Sequence, residues 1–179
     1  MTYRLFAAIR PPDPIRERLL DIEEGIANAR WQEEDQLHLT LRFFGEVETT
    51  TANELAEALG RVDCEPFELA LAGVDYFEKK GTPHSLWAGI GKSEPLMTLH
   101  RRVERASRSG GLAPEKRKFV PHITIARLNA SAGPVAPFLA RHAGMSGEPW
   151  RVDSFTLYES RLARDGARYT PLEIFPLRS

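Results

Sequence analysis

The pattern of apolar and polar residues predicts strands over much of the chain. Short apolar runs interrupted by single polar residues, as in YRLFAAI and LHLTLRFF, are typical of half-buried β-strands. The predicted strands are residues 3–9, 37–44, 67–74, 85–90, 122–126, 154–159 and 168–175. The turn signal at Lys79-Lys80-Gly81 predicts a hairpin between the 67–74 and 85–90 strands. Asp165-Gly166 predicts a turn between the last two strands.

Three segments have helical spacing instead. Residues 11–29 begin with prolines, which suit the first turn of a helix, and carry one apolar stripe formed by Ile15, Leu19, Ile22 and Ile26. Further helices are predicted at residues 51–59 and at residues 94–109, the latter closed by a glycine pair. Each half of the chain thus gives a helix and a strand of the same type, which predicts an α/β fold of the α+β type built from two duplicated, pseudo-twofold lobes.

Each of these halves contains a strand with the pattern His, apolar, Thr, apolar. The two copies are HLTL, beginning at His38, and HITI, beginning at His122. Because side chains alternate along a strand, His38 and Thr40 share one face, as do His122 and Thr124, and the intervening apolar residues face the core. A lone histidine in an apolar strand is usually structural. Two copies in a duplicated architecture favour a shared functional site.

Two facing imidazoles with a hydroxyl beside each suit acid-base cleavage of a phosphodiester. An imidazole near its ordinary pKa of ~6.5 can accept a proton or donate one around neutral pH, and a pair can do both. The threonine hydroxyls could hydrogen-bond the non-bridging phosphate oxygens, where charge builds up during displacement.

Two further side chains are candidates for substrate binding, with a reservation about their direction. Arg127 offers bidentate hydrogen bonds to phosphate, and Phe43 could stack on a nucleobase. Each lies five residues after a motif histidine, on the opposite parity of an ideal strand. They join the site only if the strand has ended or bent, and a core position is the default expectation for Phe43.

Composition and charge add modest constraints. A chain of 179 residues with 42% apolar residues can form one domain, or two small packed lobes. The single cysteine excludes a disulfide framework, the apolar run at the N-terminus is too short for a signal peptide, and no stretch is long enough for a membrane span. We therefore expect a soluble, cytoplasmic protein.

Basic residues are concentrated in the second half of the chain. The segment between Arg101 and Lys118 could form a rim for an RNA backbone, although its helical spacing equally suits a solvated helix face. No acidic or cysteine residue accompanies the motif histidines at ligand spacing, and no glycine-rich loop is present. We therefore expect no metal and no cofactor.

The paired HxTx motifs resemble those of the 2H phosphoesterase superfamily. The segments LHLTLRFFGEV, PHITIAR and FTLYESRLARDGARYTPL are similar to those of the bacterial RNA 2′,3′-cyclic phosphodiesterases, historically named 2′-5′ RNA ligases. The resemblance spans residues 3–172. It implies a single domain, residues 1–179, of two interleaved lobes whose antiparallel-rich sheets line a central cleft.

The resemblance also implies roles for individual residues. His122 would be the general base, His38 the general acid that protonates the departing 3′ oxygen, and Thr40, Thr124 and Arg127 would hold the phosphate. The substrates would be RNA ends with a 2′,3′-cyclic phosphate, tRNA halves among the candidates, cleaved without metal to a 2′-phosphate. A monomer is expected because one chain supplies the whole cleft.

Some alternatives remain open from the sequence. The same site could join RNA ends by ATP-independent 2′-5′ ligation, or bind phosphorylated RNA ends without turnover. Arg42 departs from the family pattern, in which a small or apolar residue is common, and could contact RNA or lie exposed.

Overall fold

The computed structural model describes residues 1–178, in which strands predominate over helices. The helices are α1 (Asp13–Asp21), α2 (Thr49–Gly60), α3 (Glu94–Ser109) and α4 (Ala136–His142). The strands are β1 (Thr2–Ile9), β2 (Arg30–Trp31), β3 (Leu39–Glu48), β4 (Phe67–Leu69), β5 (Leu71–Lys79), β6 (Thr82–Ile90), β7 (His122–Arg127), β8 (Trp150–Val152), β9 (Ser154–Ala163) and β10 (Gly166–Pro176). The mixed α/β class predicted from the pattern is confirmed.

The two motif strands lie side by side in the main sheet. Its strand order is β10-β9-β1-β3-β7-β6-β5, with β2 added alongside β7, and each ladder is antiparallel. The remaining strands, β4 and β8, pair separately. The strands expected in two sheets thus form one continuous main sheet, whose halves meet where Leu39 of β3 pairs with Ile123 of β7. The division into two lobes stays a prediction.

One face of the main sheet carries the larger core. In β1, Leu5, Ala7 and Ile9 are buried in a cluster that also contains the inward-facing residues of α2 and α3. The hydroxyl of Ser93 caps α3 by accepting a hydrogen bond from the Leu96 amide at 3.2 Å. The helices therefore cover one face of the sheet and leave the other for the second set of alternating side chains.

The opposite face carries a small aromatic cluster. Phe6 and Ala8 of β1 are buried there with Tyr158 of β9, and Tyr169 of β10 packs against them. The alternation of β1 thus separates its residues between the two faces, as the period of a strand requires.

Several predicted elements differ from those observed. The first helix ends at Asp21 and not at residue 29, because Gly25 and Asn28 adopt positive φ angles of 95° and 60°, which a helix does not accommodate. The predicted strand at 67–74 is divided into β4 and β5, which belong to different sheets. The helix at 94–109 is confirmed, and so is the 79–81 turn, where Lys80 and Gly81 have positive φ angles.

The short elements β2, β8 and α4 were not predicted. Each has seven residues or fewer, so it contains too few repeats for a periodic pattern to emerge. Among residues 1–178, no helix is both long enough and apolar enough to cross a membrane.

Candidate active site

The register between β3 and β7 brings the two HxTx motifs together. Leu39 pairs with Ile123 in an antiparallel ladder. One residue outwards in each direction, His38 lies across from Thr124 and Thr40 lies across from His122. Directly opposite residues of an antiparallel pair share a face. The four polar side chains therefore form a quartet on one face, with each histidine next to the threonine of the other motif.

Burial agrees with this division between the faces. The apolar residues of the motifs are at most 2% exposed, and all belong to the larger core: Leu37, Leu39, Leu41, Ile123 and Ile125. Thr40, His122 and Thr124 are half-buried on the other side of the sheet, and His38 is 7% exposed. The predicted direction of the four motif side chains is confirmed.

A bulge at the same position of each motif reverses the alternation that follows. In β3, Thr40 pairs with Ala8 and Arg42 with Ala7, which leaves Leu41 as the extra residue. In β7, Thr124 pairs with Trp87 and Ala126 with Leu86, which leaves Ile125 as the extra residue. A β-bulge of this kind shifts the later side chains to the opposite face.

The bulges explain why Phe43 and Arg127 lie on the same face as the histidines, although simple alternation predicts the opposite face for both. Both residues follow a bulge at equivalent positions, and both are exposed on the same face as the histidines. Phe43 pairs with Phe6 across the ladder, and their rings stack with centroids 6.4 Å apart. The core position that was the default for Phe43 is therefore wrong, since its side chain is 37% exposed.

His38 is enclosed by aromatic rings from the outer strands of its half. The ring centroids of Tyr158, Tyr169 and Phe6 lie 4.6, 5.4 and 6.1 Å from that of His38. Burial lowers the pKa of His38 to about 4, and the positive charge of Arg10 acts in the same direction. The Gln36 carbonyl acts in the opposite direction, although Nδ1 of His38 makes no hydrogen bond within the described residues. The ring is therefore neutral at pH 7 in the free protein.

His122 has an equivalent aromatic environment in the other half. Its ring lies 4.9 Å from that of Phe77 and 5.5 Å from that of Trp87, centroid to centroid. Nδ1 lies 2.6 Å from the Val120 carbonyl oxygen. Since a carbonyl only accepts, Nδ1 carries the hydrogen, and Nε2 of the neutral ring has the free lone pair.

The pKa of His122 is also lowered. Burial is the main cause, the Val120 carbonyl opposes it, and Arg127 lowers it further. Both motif histidines thus have a pKa below the usual 6.5 in the free protein. Neither loses the ability to act as a base, and each needs a nearby anion to hold a proton at neutral pH.

Two depressions border the quartet, and Thr40 and Phe43 line both of them. The larger has a volume of about 560 Å³ and includes His122, Phe77 and Phe119 in its wall. The smaller, of about 280 Å³, includes Arg127. A nucleoside fits the size and aromatic character of the larger depression.

The basic segment before the second motif is divided between two surfaces. Arg117 and Lys118 line the larger depression beside His122. Arg102 instead donates a hydrogen bond to the Asp63 carbonyl, in the segment that follows α2, and lines depressions away from the quartet. The RNA rim thus remains a prediction for Arg117 and Lys118, while Arg102 faces another surface.

Arg42 is buried and not exposed. Its side chain donates hydrogen bonds to the Glu104 carboxylate at 2.9 Å and to the Ala113 carbonyl at 2.8 Å. These contacts join β3 to α3 and to the loop that precedes β7. The expectation of an exposed side chain is wrong, because the bulge at Leu41 directs Arg42 towards the helices. Contact with RNA stays a prediction, since Arg42 also lines the larger depression.

The aromatic residues around the histidines and one basic residue were not predicted from the sequence. Tyr158, Tyr169, Phe77 and Trp87 reach the site from strands distant in sequence, and Arg4 lies over the ring of Phe43 at 5.0 Å from its centroid. For Arg4, the signal available in the sequence was the alternation of Arg4, Phe6 and Ala8 in β1, which sets these three residues on one face of the sheet. Among residues 1–178, no group of three or more His, Cys, Asp or Glu side chains is arranged to hold a metal ion.

Comparison with known proteins agrees with this architecture. The family model described as the 2′-5′ RNA ligase superfamily matches residues 11–164. An RNA 2′,3′-cyclic phosphodiesterase of Aeropyrum pernix is 33% identical over 162 residues, covering 87% of this chain and 92% of its own. One from Thermus thermophilus is 35% identical over 188 residues, covering 98% and 90%.

Solved structures give the same relation. The crystal structure of Escherichia coli LigT complexed with 3′-AMP has a TM-score of 0.79 and 28% identity, and the match covers 100% of both chains. Since the family model spans most of the sequence and these relatives match it nearly from end to end, the chain belongs to the 2′-5′ RNA ligase superfamily of 2H phosphoesterases.

Proposed function

We propose that this protein hydrolyses the 2′,3′-cyclic phosphate at RNA ends to a 2′-phosphate without a metal ion. The observation that carries the proposal is the register of β3 and β7, which sets both histidines and both threonines on one sheet face. The relatives named RNA 2′,3′-cyclic phosphodiesterase support the substrate class. The depressions on either side of Thr40 supply room for an RNA end.

In the proposed reaction, water attacks the phosphorus opposite the 3′ oxygen. Nε2 of His122 takes a proton from the water, the bond from phosphorus to the 3′ oxygen breaks, and His38 gives its proton to that oxygen. Thr40, Thr124 and Arg127 donate hydrogen bonds to the non-bridging oxygens, where negative charge increases. The product keeps its phosphate on the 2′ oxygen.

The assignment of the acid depends on the substrate. His38 must be protonated to act as the acid, whereas burial lowers its pKa to about 4 in the free protein. The negative charge of the bound phosphate favours the imidazolium form and raises the pKa of both histidines in the complex. The more buried histidine thus becomes an acid only once substrate is bound.

The first test uses an RNA oligonucleotide that ends in a 2′,3′-cyclic phosphate, incubated with the purified protein in EDTA. We expect complete conversion to a 2′-phosphate, identified by chromatography against 2′- and 3′-phosphate standards. His38→Ala and His122→Ala should each lose roughly 10²–10⁴-fold in kcat/KM. His142→Gln, in α4 away from the quartet, serves as the matched control. Full activity in both alanine variants would refute the proposal.

A second substrate shows which histidine is the general acid and which is the general base. Bis(4-nitrophenyl) phosphate releases a weakly basic phenolate that needs no proton from the enzyme. His38→Ala should therefore keep most of its activity on this diester while losing it on cyclic-phosphate RNA, and His122→Ala should lose both. The opposite pattern would exchange the roles of the two histidines.

A further inference from the structure

Three arginines line the smaller depression next to the quartet. Arg4 comes from β1, Arg30 from β2 and Arg127 from the end of β7, and the depression also includes Thr40 and Phe43. We refer to it as the arginine depression. Arg127 and Thr40 belong to the proposed phosphate site, whereas Arg4 and Arg30 have no part in the proposed reaction. Two guanidinium groups beyond those the chemistry uses therefore face the same space.

None of these three arginines is neutralised by the protein. Within residues 1–178, Arg4, Arg30 and Arg127 form no ion pair, whereas other arginines of the same region do. Arg168, in β10, pairs with both Glu33 and Asp165, whereas Glu46, the ladder partner of Arg4, forms no ion pair with Arg4 in the described part of the chain. Three like charges without counter-ions repel one another, and an anion between them removes this repulsion.

Two of the arginines contact different sides of the depression. The guanidinium of Arg4 lies over the ring of Phe43. Nη2 of Arg30 lies over the β9–β10 turn, 3.1 Å from the position of a Cβ added at Gly166, so a larger residue there would displace it. The planar guanidinium groups are suited to phosphate oxygens.

The size of the depression selects the group that it can hold. At about 280 Å³ it is smaller than the ~300–1,000 Å³ of sites that enclose a drug-sized molecule. A phosphate fits it better than a nucleoside does. Thr40 is a member of the quartet and also lines this depression. A second phosphate bound here would therefore lie next to the reacting one.

We propose that the arginine depression binds a second phosphate of the substrate, the 3′-5′ phosphodiester on the 5′ side of the terminal nucleotide. In an RNA end this group is one sugar away from the cyclic phosphate, which matches the adjacency of the depression and the quartet. The inference rests on the proposed function for the identity of the substrate. It specifies that the preferred substrate is an oligonucleotide and not a cyclic mononucleotide.

The turnover experiment compares four substrates with a 2′,3′-cyclic phosphate. They are adenosine with a free 5′-hydroxyl, the same nucleotide with a 5′-phosphate, the dinucleotide, and the dinucleotide with an uncharged methylphosphonate linkage. We expect kcat/KM for the natural dinucleotide to exceed that of the 5′-hydroxyl and methylphosphonate compounds at least tenfold, since charge-assisted hydrogen bonds contribute this much. The 5′-phosphate compound shows whether a terminal phosphate fills the same site.

Variants assign the preference to the depression. Arg4→Gln and Arg30→Gln should reduce the ratio between the dinucleotide and the 5′-hydroxyl mononucleotide to near one, with little effect on the mononucleotide itself. Arg61→Gln, an exposed arginine at the end of α2, is the matched control. All three positions are exposed, so these variants should fold normally. Equal kcat/KM for all four substrates in the wild type would overturn the inference.

Binding to reaction products keeps this test independent of turnover. Calorimetry with adenosine 2′-phosphate, with and without a 5′-phosphate, should show at least tenfold tighter binding of the second compound, and Arg30→Gln should remove the difference. Tighter binding without any turnover would support the second phosphate site and refute the proposed function. Turnover of the cyclic-phosphate substrates with equal binding of the two products would support the proposed function and refute the second phosphate site.

Discussion

His38 is a site residue whose charge is constrained by the fold. It lies among Phe6, Tyr158 and Tyr169, with 7% of its surface exposed, and burial lowers its pKa to about 4. The unfolded chain takes up this proton near pH 6.5 and the folded chain only near pH 4. The contribution of His38 to stability is therefore complete above pH 6.5 and is lost as the pH falls towards 4.

This constraint predicts a pH-dependent difference between the wild type and His38→Asn. The free energy of unfolding of the wild type, relative to the variant, should fall by about 2–3 kcal/mol between pH 7.5 and pH 4.5. Denaturant titrations at the two pH values measure this difference. His84→Asn, at the exposed end of β6, should follow the wild type. A constant difference between wild type and His38→Asn would show that His38 is not kept neutral by burial.

The same residues determine the pH optimum of catalysis. kcat/KM reports the free enzyme, and the two-histidine reaction needs one ring protonated and the other neutral. Since burial lowers the pKa of both His38 and His122, the maximum of kcat/KM should lie between about pH 4 and 6.5. The maximum of kcat should lie higher, because the bound phosphate raises both pKa values. A kcat/KM optimum above pH 7 would contradict this prediction.

At the scale of elements, the bulges explain which parts of the site could be predicted. His38, Thr40, His122 and Thr124 follow simple alternation, so the sequence places them correctly. Phe43, Arg127 and Arg42 follow the bulges at Leu41 and Ile125, where alternation predicts the wrong face. No local signal marks these bulges, since leucine and isoleucine are ordinary strand residues.

Other elements were unpredictable because their environment is formed by distant parts of the chain. The aromatic residues around the histidines lie on β5, β6, β9 and β10, and their contacts depend on strand order. The long helix α3 was predictable, because its capping serine, apolar stripe and final glycines agree. The short strands β2 and β8 had no comparable pattern.

Close contact between β6 and its neighbours gives a prediction at this scale. Gly89 pairs with His122 across the ladder, and a Cβ added there would lie 2.4 Å from the Ala72 carbonyl oxygen. Gly89→Ala must therefore move backbone, and we expect it to lower the free energy of unfolding by about 1–3 kcal/mol and to reduce kcat. Gly144→Ala is the matched control, because a Cβ there has no neighbour within 4 Å. Denaturant titration of both variants measures the effect, and equal stabilities would contradict it.

At the scale of the whole molecule, the two halves of the main sheet, β10-β9-β1-β3 and β7-β6-β5, differ around one shared site. Each contributes a motif strand with a bulge, and each surrounds its histidine with aromatic rings from its own outer strands. The residues after the bulges differ, with Phe43 in one half and Arg127 in the other. This difference makes the site asymmetric, so that a substrate with a base on one side and phosphate on the other binds in one direction.

The pairing of β3 and β7 within one sheet predicts that the site is complete in a single chain. Leu39 and Ile123 are ladder partners, so the two histidines meet without a second copy. A mixture of the inactive variants His38→Ala and His122→Ala should therefore recover no activity on cyclic-phosphate RNA, even after the two are unfolded and refolded together. Light scattering should give the mass of a monomer, about 20.2 kDa. Activity that appears in the refolded mixture and increases with protein concentration would instead mean that two chains exchange a motif strand and assemble the quartet between them.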